Sequence, residues 1–179
     1  MTSATDEPRT LTDLAVAYAE SRSVDDLVRL RQAIRTSPGF DPGLDVLGSV
    51  APLFAKGAHD EVLALVRGLM PGAFFAPSAH AALGAAHEAL GDATRARRER
   101  RTQVLALDSI LSTGDGTREH PWSVLRISDE YDVLGSQRRA SSTQMLIVDG
   151  DRSLDRHVCA DGTEAWFDVT GLVSTARPA

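Results

Sequence analysis

A chain of 179 residues with 42% apolar content can bury a core of useful size as one domain, or as one domain made of two tightly packed halves. A net charge of −6 excludes whole-surface attraction to nucleic acid or anionic lipid, and the single cysteine, Cys159, excludes an intramolecular disulfide and a cysteine-based zinc site. No apolar run reaches the roughly 18 residues that span a bilayer, and the polar, acidic start MTSATDEPRT lacks the regions of a signal peptide, so a cytoplasmic location is expected.

Residues 1–10 read as a disordered leader, followed by a short helix from Thr12 to Ser21. Ser23-x-x-Asp26 resembles a capping box, and Leu27, Leu30 and Ile34 recur behind it at helical spacing. The Ser37-Pro38-Gly39 to Pro42-Gly43 stretch breaks that helix. Four helical segments follow in two pairs. Leu44 to Ala55 and Asp60 to Met70 form the first; a helix capped by Ser78 and one opened by Asp92 form the second. Ala93, Ala96, Val104, Leu107 and Leu111 trace the expected buried stripe of the last helix.

After Gly116 the apolar period shortens. Trp122 to Ile127 alternates as a strand, and Ser128 caps a short helix holding Tyr131 and Leu134. Gln144 to Val148, Leu154 to Ala160 and Thr163 to Val169 read as three more strands, joined by turns at Asp149-Gly150-Asp151 and Asp161-Gly162. The pattern predicts an α+β protein. A helical array of five to six helices over residues 11–112 packs on a β-α-β-β-β module over residues 113–173, with a four-stranded, mostly antiparallel sheet. Residues 174–179 read as a disordered tail.

Leu83-Gly84, His87, Gly91-Asp92 and Ala96 stand where a tetratricopeptide repeat places its Leu-Gly, Tyr, turn and small Ala. Leu30-Arg31-x-Ala33-Ile34-x-x-Ser37-Pro38-x-Phe40-Asp41-Pro42 opens a longer pattern. Ile110 to Thr117, Glu130-Tyr131, Gln144 and Phe167-Asp168-Val169 continue it. Over about residues 24–172 the chain resembles a bacterial domain-of-unknown-function family with tetratricopeptide-like helices and a small C-terminal module. The resemblance implies architecture and carries no activity or ligand with it.

Glu130, Tyr131 and Asp168 are the candidate catalytic residues. Two carboxylates in a half-buried cleft do acid–base work when their environments push their pKa values apart. Their structural alternative is paired or hydrogen-bonded burial. Strand alternation sets Trp166 and Asp168 on one face and Ala165, Phe167 and Val169 on the other. Gly114-Asp115-Gly116-Thr117 fits an anion nest or, better, a helix C-cap with an Asp turn. The Asp149, Asp151, Ser153, Asp155 spacing lacks the Gly and Glu of a calcium loop, so no metal site is expected. His157 and Cys159 share a strand face, yet a buried structural thiol fits Cys159 better than a dyad. Arg95, Arg97, Arg98, Arg100 and Arg101 form a basic band that grips an acidic group or stays a solvated helix surface.

Two functions follow. The first is a non-enzymatic protein-interaction or scaffolding module. Its helical groove would be an exposed apolar strip at Phe54, Phe74 and Phe75 bordered by Arg97 and Arg101, with Trp122 and Trp166 as further binding residues. The alternative is a small cofactor-independent isomerase, cyclase or hydrolase with Glu130 and Asp168 as acid and base, Tyr131 orienting the substrate and Trp122 or Trp166 walling the pocket. The expected partner is a protein or peptide, or a small molecule under the alternative. No cofactor, nucleic acid or membrane is expected.

Overall fold

The computed structural model describes residues 10–173. The expected leader, apart from Thr10, and the expected tail lie outside the described residues. Helix α1 (Leu11–Ser21) starts at a full capping box: the Thr10 hydroxyl accepts the Asp13 N–H at 3.1 Å, and the Asp13 carboxylate accepts the Thr10 N–H at 2.9 Å. Helix α2 (Val24–Arg35) is capped by Ser23 in the same way on one side, and buries Leu27, Leu30 and Ile34 together with Arg31. Helices α3 (Val46–Ala55), α4 (His59–Gly68), α5 (Pro77–Ala89) and α6 (Ala93–Leu111) follow as two antiparallel pairs.

The α3–α5 core is built of small aliphatic side chains: Val46, Val50, Val62, Val66, Ala79 and Ala82. Few aromatics are available, so tight helix approach replaces bulk. At Gly84 an added Cβ would sit 3.4 Å from the Arg100 side chain and 3.6 Å from the Ala96 carbonyl, which is how closely α6 lies on α5. Several sequence expectations shift here. Ser78 is not the cap of α5. The helix starts two residues earlier than a Ser78 cap implies, on Pro77, whose fixed φ suits a first turn, and the Ser78 N–H is taken by the Asp132 carboxylate at 2.9 Å. Ala96 is buried as expected, and Leu107 and Leu111 pack partly buried against the sheet core, but Ala93 and Val104 are exposed; Ala106, Ser109 and Ile110 complete the buried face of α6.

The C-terminal half carries strands β1 (Trp122–Ser123), β2 (Ser141–Asp149), β3 (Arg152–Cys159) and β4 (Glu164–Asp168), with helices α7 (Ile127–Ser136) and α8 (Thr170–Val173). Their order in the sheet is β1-β4-β3-β2. The β2–β3 and β3–β4 pairs are antiparallel, whereas β1 runs parallel to β4, so the sheet is mixed. The expected strand from Trp122 to Ile127 shrinks to its first two residues. The Asp129 carboxylate accepts the N–H groups of Leu125 and Arg126, both at 3.0 Å, and this turns the chain into α7 at Ile127, with Arg126 rather than Ser128 in the cap position. One face of the sheet presents Ala165, Phe167 and Cys159 to Ile110 of α6 and to Val133 and Leu134 of α7.

The Gly-Asp-Gly-Thr stretch is a bracket around Trp122. The Trp122 Nε1–H donates to the Gly114 carbonyl at 3.1 Å, and the Trp166 N–H donates to the Gly116 carbonyl at 3.0 Å. Asp115 accepts the Thr117 N–H at 3.0 Å, forming the expected Asp turn. Gly116 has φ +79° and lies flat under the indole, where a Cβ would come within 2.4 Å of the ring. Only glycine meets both demands there.

Candidate functional site

The N-terminal turn of α7 is anchored by several bonds from distant parts of the chain. Arg126 is fully buried, donates from Nη2 to the carbonyls of Gly72 at 2.5 Å and Phe74 at 3.3 Å, and lies over the Phe40 ring. The Ile127 N–H donates to the Pro42 carbonyl at 3.0 Å. These bonds tie α7 to the loops before α3 and α5, and so fix where its carboxylates point. Burial pushes the Asp129 carboxyl up, against the opposing charge of Arg126.

From that anchored helix, Glu130 projects onto the helix-facing side of the sheet and meets His157 of β3. Its Oε2 lies 2.6 Å from His157 Nε2, and both side chains are wholly enclosed. His157 Nδ1 lies 2.8 Å from the Ser141 hydroxyl, which donates onward to the Thr143 carbonyl at 3.3 Å. The imidazole stands edge-on between the rings of Tyr131 and Phe167. Burial pushes Glu130 up to about 7, opposed chiefly by its bond to His157. Whichever of Glu130 and Nε2 carries the proton, the contact is satisfied, with Nδ1–H donating to Ser141 and the Ser141 O–H to Thr143. Glu130 Oε1 is buried and has no hydrogen-bond partner among the described residues.

Gln144 of β2 links this enclosed pair to the surface. Its amide donates to Asp155 at 2.7 Å and, over a longer 3.5 Å, to Glu130; its carbonyl accepts the Tyr131 hydroxyl at 2.7 Å. Two adjoining hollows open at this point. One, of about 340 Å³, lies between the start of α3 and α7 and is lined by Leu44, Leu47, Ile127, Tyr131 and Asp132. The second, of about 480 Å³, lies between α7, α8 and β2, with Gln144, Leu146, Asp155, Leu172 and Val173 on its walls. Gly43 and Ile127 border both, which makes them one groove. Burial also raises Asp132, to about 6.

Strand β2 forms the open margin of that groove. It is the last strand of the sheet, it is nine residues long, and it carries no charge from Ser141 to Val148. Met145, Leu146 and Val148 are 57%, 51% and 71% exposed. Its pairing with β3 sets Gln144 opposite His157 and Leu146 opposite Asp155, so Gln144 and Leu146 face the groove, and Val148 shares their side of the strand.

No family model, curated protein or solved structure matches this chain. The functional reading therefore rests on the site itself.

Of the residues that the sequence singles out, Glu130 and Tyr131 belong to this site and Asp168 does not. Asp168 pairs in register with Ser123 and Leu154, on the sheet face opposite Phe167 and Glu130, and accepts the Thr170 N–H at 2.9 Å. The two carboxylates do not converge. Trp122 is buried against Phe167, and Trp166 lies on the other face beside Arg118 and Arg156, so neither walls the groove. The apolar strip expected at Phe54, Phe74 and Phe75 is not exposed: Phe75 packs edge-on against Tyr18, Phe74 stacks on Phe75, and Phe54 is half-buried against His59. Arg97 and Arg101 are exposed on α6; Glu99 between them turns inward to His80 at 2.8 Å, and Arg100 pairs with Glu88.

Sequence reasoning missed His157 as the partner of Glu130, and missed Ser141, Gln144 and Asp155. The signal for His157 was present. It shares alternation with Asp155 and Cys159, so one strand face holds two polar residues that burial obliges to find partners. Arg126 was equally marked, as the only charge in the run Val124 to Ile127.

Proposed function

We propose that this protein is an interaction module that binds an extended protein segment along β2, with side chains of that segment seated in the adjoining groove. A single observation carries the reading: a nine-residue outer strand, uncharged over most of its length, is open on both faces beside an apolar groove. Outer strands template pairing with other chains, and natural proteins blunt them with charge, proline, bulges or shortness. Here the one irregularity lies at the far end, between Ser141 and Thr143. The interaction role expected of the helical array thus moves to the sheet margin.

The groove also defines the segment. Its apolar walls, Leu44, Leu47, Ile127 and Leu146, suit aliphatic side chains at alternate positions. Its polar atoms are mostly acceptors, from Asp45, Asp132 and Asp155, which favours a segment with Lys or Arg beside the aliphatic residues. Peptide-display selection against the immobilised protein tests this. The expected product is a consensus of alternating aliphatic residues with basic flanks, whose binding is lost in Leu146→Lys and Val148→Lys. Selected peptides that bind both variants as well as the parent would refute it.

One observation favours a second reading, as an acid–base enzyme: the unpartnered Oε1 of Glu130, on a carboxyl that titrates near neutrality. That reading needs a ligand that displaces Gln144 to reach Glu130. Retention in Glu130→Gln of any activity found for the parent would remove it.

A further inference from the structure

At the opposite margin of the sheet, beside β1, a cleft of about 560 Å³ lies between α2, the end of α6 and β1. Arg22, Arg31 and Arg35 line it, with Ser112, Thr113 and Ser123, and among the described residues no Asp or Glu does. In a chain of net charge −6, this is a local inversion of sign. Arg22 is already paired with Asp108 at 3.4 Å. The other two guanidinium groups are different. Arg31 is 8% exposed and uses only Nη2, which donates to the carbonyl and the hydroxyl of Ser123, both at 3.0 Å. Its Nε and Nη1 have no partner among the described residues, and no carboxylate there forms an ion pair with Arg31 or Arg35.

Helical spacing explains the convergence. Arg31 and Arg35 are four apart on α2, on the same face. Arg31 is held by β1, and the Arg35 guanidinium rests against α8, where a Cβ at Gly171 would lie 3.1 Å from Nη2. Two like charges thus lie near enough to act on each other. Arg31 is lowered to about 10, first by burial and then by the charge of Arg35; Asp129 and Asp168, at longer range, offset part of this. The hydroxyls of Ser112 and Thr113 donate inward, to the carbonyls of Ser109 and Ile110. Free donors in the cleft include these two guanidinium groups and the amide of Gln32, with Leu27 and Val28 as an apolar flank.

We infer that this cleft is a binding site for a small organic anion, whose phosphate or carboxylate group sits between Arg31 and Arg35 and whose body lies along Leu27 and Val28. A planar pair of guanidinium forks matches the oxygens of either group. The site is separate from the β2 groove and does not depend on that reading.

Isothermal titration of the full chain with inorganic phosphate and, separately, with succinate at constant ionic strength tests it. Saturable binding of one or both is expected, and the stronger of the two identifies the head group. Arg35→Gln, an exposed change that leaves the Arg31–Ser123 bonds in place, should weaken binding about tenfold, the worth of one charge-assisted hydrogen bond. The double variant Arg97→Gln/Arg101→Gln should bind as the parent does. Absence of saturable binding of either anion, or equal binding by Arg35→Gln, would overturn the inference.

Discussion

The two margins of the sheet are built on opposite plans. At β1 the strand is two residues long and is closed over by Arg31 of α2, which occupies the Ser123 carbonyl. At β2 the strand is nine residues long, uncharged over its length to Val148, and open. At the first margin Arg31 and Arg35 have no carboxylate partner among the described residues and the strand is covered; the second has an outer strand and carboxyl groups whose pKa burial raises. Closing one margin while leaving the other open shows that the fold has the means to protect a strand and does not use them at β2. That contrast is why the interaction reading is placed there.

Phe167 joins the two halves of the contrast, since it packs on Trp122 toward β1 and on His157 toward β2. Phe167→Ala should therefore lower stability by about 3–5 kcal/mol in urea unfolding and disturb both margins together. A loss confined to one margin would show that they are independent units.

Glu130→Gln sharpens the comparison through pH. The folded carboxyl stands at about 7 against an ordinary 4.5, so the folded state holds the proton across that window. Stability from this group is full below about 4.5 and is lost as pH rises through 7, a span of roughly 3 kcal/mol. The variant should flatten that fall and leave the part owed to Asp132, which stands at about 6, and to Asp129, which burial also raises. Parallel pH profiles of the two proteins, measured by thermal unfolding, would mean that Glu130 is not held protonated.

Leu146→Lys and Val148→Lys should each change stability by no more than about 0.5 kcal/mol, since both side chains are exposed, yet weaken segment binding at least about tenfold. The smallest effect is expected from Arg97→Gln/Arg101→Gln, which should alter neither stability nor segment binding; a loss of segment binding there would return the interaction surface to the helices.

The α+β plan was legible because it rests on local signals. The Ser23 cap, the glycine turns at 91, 150 and 162, and the switch from helical to alternating period all act within a few residues, whereas the Thr10 cap was not read from the sequence. What escaped were choices made at long range. Nothing near Ser78 reveals that Asp132, far along the chain, takes its N–H. The Phe54–Phe75 strip looked available because the sequence does not disclose that α1 covers Phe75 with Tyr18. Glu130 and Tyr131 were identified as residue types able to do chemistry, but their partners come from β2 and β3, and strand register decides which side chains meet. Asp168 was placed on the correct face of β4; what the sequence could not give was the face toward which Glu130 projects.

The most direct measurement is amide hydrogen exchange of the full chain with and without a selected basic–aliphatic peptide. Segment addition at the open margin predicts new protection across Thr143 to Val148, together with Leu47, Ile127 and Tyr131 beside the groove, and none along α4 to α6. Protection that instead falls on α5 and α6, or leaves Thr143 to Val148 exchanging as in the free protein, would contradict it.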